Sequence, residues 1–185
     1  MNNHKAVFLD RDGTINIDKN YLYKIEDFEF LPGAIEGLKI LANLGYKLII
    51  ITNQSGIARG YYSEDDYKKL ESWMNNRLFR EGVEITASYH CPHHTLGIVP
   101  QYRCECNCRK PKLGLFEKAI YEHGIKIDES IAIGDKERDI EIARKYNIKG
   151  YLIYSDCNST CANIQKIKGG LLQAAEYIRD AYKNK

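Results

Sequence analysis

A short apolar segment that ends in two acidic residues places the strongest constraint on the fold of this chain. The segment Ala6-Val7-Phe8-Leu9 predicts a buried strand, and Asp10 and Asp12 follow it directly. Side chains at positions i and i+2 of an extended chain point to the same side, so we expect the two carboxylates to share one cavity. That cavity would lie at the carboxyl end of the strand, where open α/β sheets build their active sites. Gly13 lets the chain turn there because it has no Cβ.

A calcium-binding loop is the alternative interpretation of the Asp-x-Asp-Gly sequence. Such a loop needs further oxygen ligands at fixed positions and a glutamate at its twelfth position. The twelfth residue counted from Asp10 is Tyr21. The apolar run before Asp10 is also typical of a strand rather than of the helix that precedes a calcium loop. The sequence therefore favours a pair of acids at a strand end.

The composition limits the kinds of partner and compartment. The 185 residues are enough for one domain with a sizeable core, and a hydrophobic content of 44% is typical of a folded globular chain. A net charge of +2 without a basic run gives no support for a nucleic-acid or membrane partner. No apolar stretch approaches the roughly 20 residues that span a bilayer, and the residues before the first strand leave no room for a signal peptide. We therefore expect a cytoplasmic protein, in which clustered cysteines indicate a metal site rather than disulfides.

Strand and helix patterns alternate along the rest of the chain. Apolar runs predict further strands at residues 46–52, 84–90, 130–134 and 150–154. Helices are predicted at residues 33–45, 63–80, 113–123, 137–146 and 170–182, the second of them opened by a capping box at Ser63 and Asp66. This alternation predicts a three-layer, Rossmann-like α/β fold with a parallel sheet and helices on both faces, formed by a single domain over residues 1–185. The only sizeable insertions are residues 17–32 and a cysteine-rich loop at about 91–108, so we expect a small or absent cap.

Three further polar residues fall where this fold would bring them to the two acids. Thr52 ends the second strand, Lys110 comes just before a helix, and Asp135 ends the strand at 130–134. Each has an ordinary explanation alone, such as a surface lysine or an N-cap aspartate. Together, carboxylates from two strands suit a hard cation such as Mg²⁺, and a hydroxyl with an ammonium suits phosphate oxygens. The combination predicts phosphoryl transfer.

Four short motifs, DRDGTIN, TNQSG, RKP and GDKERD, resemble in order the motifs of the haloacid-dehalogenase phosphatase superfamily. The resemblance implies that Asp10 is the nucleophile that forms an aspartyl-phosphate. Asp12 would protonate the leaving oxygen and then activate water, while Thr52 and Lys110 would hold the phosphoryl oxygens. Mg²⁺ would be bound by the Asp10 carboxylate, the Asp12 backbone carbonyl and Asp135.

A dense group of cysteines and histidines predicts a structural zinc site. Cys91 and His93 are separated by one residue, as are Cys106 and Cys108, and twelve residues lie between the two pairs. Three thiolates and one imidazole would form a closed tetrahedral site. Spacing alone leaves other ligands open, since the same segment also contains His90, His94 and Cys104.

The sequences C-P-H-H and C-x-C-R-K-P look like the zinc loop of the D-glycero-D-manno-heptose-1,7-bisphosphate 7-phosphatases. Enzymes of this family act in the pathway to nucleotide-activated heptose. This resemblance implies the ligand set Cys91, His93, Cys106 and Cys108. It also implies that Arg109 recognises the distal C1 phosphate. Because the zinc loop ends directly on Arg109 and Lys110, we expect folding around zinc to fix both residues. Further residues would line the substrate pocket, namely Asp18, Lys19, Asn20, Tyr21, Asn53, Gln54, Ser55 and Lys136.

Two alternative functions remain open from the sequence. Histidinol-phosphate phosphatase carries the same zinc knuckle with a shorter intervening loop, so the long loop favours the heptose enzyme. A non-catalytic, zinc-stabilised binding module would keep the fold, but all the predicted catalytic side chains are intact. We expect a monomer that acts on a small sugar bisphosphate. The remaining cysteines, Cys157 and Cys161, are assigned no role.

Overall fold

Six parallel strands form one sheet in the computed structural model, which describes residues 4–153 and 163–183. The strand order is β3-β2-β1-β4-β5-β6, and every neighbouring pair is parallel. This confirms the predicted Rossmann-like parallel sheet. The strands are β1 (Ala6–Leu9), β2 (Lys47–Asn53), β3 (Ala87–Cys91), β4 (Ile131–Gly134), β5 (Lys149–Ile153) and β6 (Ile164–Ile167).

Five α-helices connect or follow these strands in the described part of the chain. They are α1 (Ala34–Asn43), α2 (Glu64–Arg80), α3 (Gly114–His123), α4 (Glu141–Tyr146) and α5 (Leu171–Lys183). The capping box at Ser63 and Asp66 forms as predicted, because each side chain hydrogen-bonds the other residue's backbone nitrogen. No helix among the described residues is long and apolar enough to cross a membrane.

Alternation along the strands gives the sheet two separate cores. Val7 and Leu9 pack on one face with residues of α1, α2 and α5, whereas Ala6 and Phe8 pack on the other face with residues of α3 and α4. All four side chains are buried. A strand covered on both faces needs apolar residues at every position, which explains the uninterrupted apolar run in the sequence.

Two predicted elements differ from the structure at their ends. The strand predicted at 84–90 begins only at Ala87, and the helix predicted at 137–146 is divided into a 3₁₀ turn (Glu137–Asp139) and α4. The division follows from the Asp139 carboxylate, which accepts a hydrogen bond from the backbone nitrogen of Lys136 at 3.0 Å and holds the first turn tight.

The strand predicted at 150–154 is not the last one. It corresponds to β5, and β6 pairs with it at the sheet edge. The prediction missed β6 because it has four residues and carries the polar side chains Gln165 and Lys166 at its centre. Cys157 and Cys161 lie outside the described residues.

The order of the strands reverses direction at β1, and this reversal determines where the active-site crevice lies. The chain passes from β1 to β2 on one side, and later to β4 on the other side. A crevice forms at the carboxyl ends of strands where such a reversal occurs. Residues 10–33 between β1 and α1 form a loop with short bridges and no added helix, so only a small structure can cover the crevice from there.

Candidate active site

A cavity of about 260 Å³ opens at the carboxyl edge of the sheet, and Asp10 and Asp12 both line it. Asp10 follows the last residue of β1, and the loop keeps Asp12 on the same side. Most of the residues proposed from the sequence for substrate binding lie around the same space. They are Asp18, Asn20, Tyr21, Asn53, Gln54, Ser55, Arg109 and Lys136, together with Thr52.

Asp10 is held in a buried group of charges at the base of the cavity. Lys110 Nζ donates to Asp10 Oδ1 at 2.6 Å and to the Ile51 carbonyl at 2.5 Å, and it lies 2.8 Å from Asp139 Oδ1. All three charged side chains are buried. Burial raises the pKa of Asp10 to about 7, against the lowering effect of the Lys110 ammonium, with Asp139 and Asp12 adding to the rise.

Asp12 has different surroundings, because five hydrogen bonds reach its carboxylate. Arg11 donates from Nε to Oδ1 at 3.1 Å and from Nη2 to both oxygens at 2.9 Å, Asn16 donates to Oδ1 at 3.0 Å, and Gln54 donates to Oδ2 at 3.0 Å. Burial alone would raise the pKa of Asp12, but the Arg11 charge and these hydrogen bonds outweigh it and hold the pKa below its usual value. The two neighbouring acids therefore differ in proton affinity.

The side chains near Asp135 fit a hard divalent cation. One carboxylate oxygen from each of Asp10, Asp135 and Asp139 lies within 4.8 Å of the others. Asp135 Oδ1 is buried and has no hydrogen-bond partner among the described residues. Gly13 approaches so closely that a Cβ there would lie 2.5 Å from Asp135 Oδ2. Mg²⁺ binds oxygen ligands. These three carboxylates, one of which has an unpartnered oxygen close to a glycine backbone, supply such ligands.

Residues at the end of β2 are hydrogen-bonded to Asp12 and to the backbone of Lys110. Gln54 Nε2 donates to Thr52 Oγ1 at 2.9 Å as well as to Asp12, and Tyr62 fixes the amide by donating to Gln54 Oε1 at 2.6 Å. Asn53 and the Lys110 backbone exchange two hydrogen bonds, at 3.0 and 3.1 Å. This exchange carries Lys110 to the end of β2, although the two residues are 57 positions apart in the chain.

Four cationic groups also line the cavity. Arg109 and Lys136 were proposed from the sequence, and the structure adds Arg59 and Arg138. Burial and the nearby charges of Arg138 and Arg59 lower the pKa of Arg109, although the cysteine sulfurs act in the opposite direction. Lys136 pairs with Asp18 at 3.1 Å and with Asp135 at 3.4 Å. We call these four residues, Arg59, Arg109, Lys136 and Arg138, the cationic wall. Several cations around one cavity provide a site for an anion.

Several residues near the two acids were not proposed for the active site from the sequence, and one proposed residue lies outside the cavity lining. The residues not proposed for the active site are Asp139, Arg59, Tyr62, His94 and Arg138. Two of them had a signal in the sequence, since Asp139 follows Asp135 by four residues in the same acidic turn and Arg59 lies shortly after the TNQSG motif. Lys19 was proposed for substrate binding and is not among the residues that line the cavity. Its ammonium pairs with Glu29 at 3.3 Å.

The four predicted zinc ligands meet in one cluster, where one ligand atom of each lies within 4.8 Å of the others. Cys91 Sγ is 3.1 Å from Cys108 Sγ and 3.6 Å from Cys106 Sγ, and His93 Nδ1 is 3.2 Å from Cys108 Sγ. Sulfur atoms bound to one tetrahedral zinc ion at ~2.3 Å would be about 3.8 Å apart. Such a cluster of thiols and an imidazole, too far apart for disulfides, can hold a zinc ion.

The other candidate ligands have different positions. His90 Nε2 lies 3.3 Å from Glu64 Oε1, and His94 accepts a hydrogen bond from the Leu96 nitrogen at 3.0 Å while its other ring nitrogen lies 3.2 Å from Arg59. Cys104 is exposed. The spacing of the sequence had left the identity of the zinc ligands open, and these contacts favour the four residues of the cluster over His90, His94 and Cys104.

Comparison with known proteins identifies the family of the chain. The HAD-hydrolase-like family model matches residues 107–171. A D-glycero-alpha-D-manno-heptose-1,7-bisphosphate 7-phosphatase of Photorhabdus laumondii is 51% identical over 147 residues, which cover 80% of each chain. A D-glycero-beta-D-manno-heptose-1,7-bisphosphate 7-phosphatase of Pasteurella multocida is 46% identical over 149 residues, again 80% of each chain.

Solved structures show the same fold. A HAD-like phosphatase from Mesorhizobium loti superposes with a TM-score of 0.84 at 27% identity, covering 95% of this chain and 87% of that one. The D,D-heptose 1,7-bisphosphate phosphatase from B. bronchiseptica, solved with magnesium and phosphate, superposes with a TM-score of 0.82 at 24% identity, covering 96% and 99%. On the strength of the sequence identity to its relatives, this chain belongs to the D-glycero-D-manno-heptose-1,7-bisphosphate 7-phosphatase family of the haloacid-dehalogenase superfamily.

Proposed function

We propose that this protein is a Mg²⁺-dependent phosphatase that removes the 7-phosphate of D-glycero-D-manno-heptose 1,7-bisphosphate during the synthesis of nucleotide-activated heptose. The observation that carries the proposal is a single cavity whose lining combines two acids with several cations. Asp10, Asp12 and Thr52 line it together with Arg59, Arg109 and Arg138. The names of the relatives, which specify the same bisphosphate and the same position, support it.

The cationic wall accounts for the second phosphate of the substrate. A simple phosphomonoester needs charge compensation only at the phosphate that is transferred. Here three arginines and Lys136 line the same cavity as the acids, and their crowding is relieved when an anion binds between them. We assign the C1 phosphate to this wall, with Arg109 as its main ligand, and the C7 phosphate to Asp10.

In the first step, an Asp10 oxygen forms a bond to phosphorus while the bond from phosphorus to the sugar oxygen breaks. Asp12 gives a proton to that sugar oxygen, so the leaving group departs as an alcohol. The contacts around Asp12 hold its pKa below the usual value, and a neighbouring anionic substrate would shift that pKa upward, toward the protonated form that this step needs. Thr52 and Lys110 donate hydrogen bonds to the phosphoryl oxygens.

In the second step, Asp12 acts as a base. It removes a proton from water, the water oxygen attacks phosphorus, and the bond from phosphorus to Asp10 breaks to release phosphate. The carboxylate of Asp10, the backbone carbonyl of Asp12 and Asp135 would hold Mg²⁺, and Asp139 lies beside them. When bound, Mg²⁺ supplies positive charge that offsets the repulsion between a carboxylate nucleophile and an anionic phosphate.

The cysteine cluster supports a positional role for zinc. Cys108 is followed directly by Arg109 and Lys110, so a closed metal site would fix the residues that bind both phosphates. We propose Cys91, His93, Cys106 and Cys108 as its ligands. We also propose that the chain works as a single-domain monomer in the cytoplasm, where reduced thiols remain free to bind metal.

A kinetic comparison in Mg²⁺ tests the function. The purified protein is assayed on the α- and β-anomers of the heptose 1,7-bisphosphate and on histidinol phosphate, and ³¹P NMR identifies which phosphate remains on the sugar. We expect a higher kcat/KM on a bisphosphate than on histidinol phosphate, with the 1-phosphate retained. Equal loss of the two phosphates would contradict the proposed position of cleavage, and a preference for histidinol phosphate would reassign the enzyme.

The Asp10→Asn variant distinguishes an enzyme from a binding module. An amide in place of the nucleophile should reduce kcat by at least about 10⁴-fold, while the cationic wall still binds the bisphosphate. Asp27→Asn, at an exposed position, is the matched control and should retain activity. Wild-type protein that binds the bisphosphate without hydrolysing it would support the binding module instead.

A further inference from the structure

Arg11 is a buried cation that the proposed mechanism does not use. It lies between Asp10 and Asp12 in the sequence, and only 1% of its surface is exposed. A charged group is expensive to bury without partners. Among the described residues, its partners are few and specific, and most of them are atoms of Asp12.

The contact between Arg11 and Asp12 is bidentate. Nη2 donates to both oxygens of Asp12 at 2.9 Å, and Nε donates to Oδ1 at 3.1 Å. The planar guanidinium matches the planar carboxylate in this arrangement, so it restricts rotation of the carboxylate as well as its position. Asn16 and Gln54 each reach only one oxygen.

The guanidinium is itself held from two other directions. Nη2 also donates to the Leu22 carbonyl at 3.3 Å, and the guanidinium carbon lies 5.6 Å from the centre of the Tyr67 ring. Tyr67 is buried and fixed in turn by its hydroxyl, which donates to Glu71 at 2.6 Å. A rigid cation that contacts both oxygens of a catalytic acid can set the direction in which that acid faces the substrate.

We propose that Arg11 is a positioning residue that orients the Asp12 carboxylate for both of its proton transfers. The inference rests on the proposed function, in which Asp12 first gives a proton to the sugar oxygen and then takes one from water. Both transfers require an Asp12 oxygen within hydrogen-bond reach of the reacting oxygen. Without Arg11, the carboxylate is held only by single hydrogen bonds from Asn16 to Oδ1 and from Gln54 to Oδ2. These allow it more rotation than the bidentate contact does, so both transfers should slow.

The test compares two leaving groups in the Arg11→Met variant. A sugar alcohol needs a proton to leave, so kcat on the heptose bisphosphate should fall by about 10–100-fold. Nitrophenolate leaves without a proton, so Asp10 should still be phosphorylated by 4-nitrophenyl phosphate, but hydrolysis of the aspartyl-phosphate should be slow. The variant should therefore release a rapid burst of nitrophenol close to one equivalent per enzyme, followed by slow turnover.

Two further variants make the result specific. Arg11→Lys keeps the charge without the fork and should recover only part of the lost rate. Ile15→Val alters a buried apolar residue of the same loop that belongs to the core, so it controls for loss of packing and should show the wild-type ratio of the two rates. Crystal structures of the Arg11 variants provide a second measurement, the orientation of the Asp12 carboxylate. It should be rotated in Arg11→Met.

The results that would overturn the role of Arg11 differ from those that would reject the proposed phosphatase function. An equal decrease in both rates without a burst, together with an unmoved Asp12 carboxylate, would show that Arg11 acts only as a structural counter-charge. Full activity of Arg11→Met would also overturn the inference. A wild-type protein that does not hydrolyse the bisphosphate would instead reject the proposed function.

Discussion

Two aspartates only two residues apart acquire different chemical properties from their neighbours. Asp10 lies among Lys110 and Asp139, where burial dominates and raises its pKa to about 7. Asp12 faces Arg11, and its pKa is held below the usual value. Pairs of acids whose surroundings separate their proton affinities are typical of sites in which the two acids have different tasks. The raised pKa of Asp10 suits a nucleophile only when a bound cation such as Mg²⁺ offsets the effect of burial and favours the ionised carboxylate.

Replacing Gly13 with alanine should weaken the metal site. Gly13 has φ +86°, and a Cβ there would lie 2.5 Å from Asp135 Oδ2. The left-handed backbone alone costs about 1–2 kcal/mol for alanine, and the new methyl group would also displace a proposed metal ligand. We expect the Mg²⁺ concentration for half-maximal activity to rise at least about tenfold, as measured by titrating Mg²⁺ in the phosphatase assay.

Gly82 offers a control for the backbone effect. It has φ +83°, and a Cβ there would meet no atom within 4 Å. Gly82→Ala should therefore show a similar backbone cost in urea unfolding but an unchanged Mg²⁺ requirement. An unchanged Mg²⁺ requirement in Gly13→Ala would show that the approach of this loop to Asp135 is not part of a metal site.

The sequence predicted residues whose position follows directly from a strand end. Asp10, Thr52 and Asp135 each follow or end a strand, and parallel strands end at a common edge. Asp139 and Arg59 reach the site by local turns after those ends, where the direction of a side chain depends on backbone angles that the sequence pattern does not specify. Lys19 has the residue type of a phosphate ligand, but its loop directs it to Glu29.

At the scale of elements, the long loop between β3 and α3 has little regular structure of its own. Residues 92–113 contain one short 3₁₀ turn (Pro100–Tyr102) and no strand or α-helix. A loop of this length pays a large conformational entropy when it is ordered. Cys91 at the end of β3, together with His93, Cys106 and Cys108 in the loop, can bind one zinc ion. Metal binding would then supply folding energy to the loop.

Loss of a zinc ligand should therefore reduce both stability and activity. We expect Cys106→Ser to lose bound zinc, to lower the free energy of unfolding by more than about 4 kcal/mol, and to lower kcat by about 100-fold through misplacement of Arg109 and Lys110. Zinc content, urea unfolding and the phosphatase assay provide the three measurements.

The exposed Cys104 provides the matched control for this change. It is two residues from Cys106 and lies outside the cluster, so Cys104→Ser should resemble the wild type in all three measurements. Full activity of Cys106→Ser after verified loss of zinc would contradict a positional role of the metal.

The same scale shows where sequence patterns predict elements well. Long periodic segments such as α2, and apolar runs such as β1 and β2, agree with the predictions to within a few residues. The four-residue edge strand β6 carries two polar residues, and it forms because β5 offers a free edge to pair with. Such pairing depends on distant residues, and therefore no local pattern indicates it.

At the scale of the whole molecule, Lys110 joins three distant parts of the chain. Its ammonium contacts Asp10 after β1, the Ile51 carbonyl in β2 and Asp139 after β4. Two carboxylates and one ammonium are buried together, so each charge depends on the others for compensation. The group that the proposed mechanism uses for catalysis is thus also a contact that holds the strand ends together.

Removing this single cation should destabilise the entire fold. Lys110→Met leaves Asp10 without its counter-charge and Asp139 with only Arg138, at 3.8 Å. We therefore expect the free energy of unfolding to fall by about 3–5 kcal/mol, measured by urea denaturation in Mg²⁺-free buffer with zinc retained. Lys112→Met removes a lysine from an exposed position two residues away and should change stability by no more than about 0.5 kcal/mol.

A second substitution shows whether charge is the cause. In the Lys110→Met background, Asp139→Asn removes one of the two carboxylate charges and should restore about 1–2 kcal/mol, whereas the same Asp139→Asn change in the wild type should be destabilising because Lys110 loses a partner. Additive effects of the two substitutions would mean that Lys110 stabilises the molecule by packing of its aliphatic chain. Opposite signs in the two backgrounds would identify the buried charges as the contact on which the ends of β1, β2 and β4 depend.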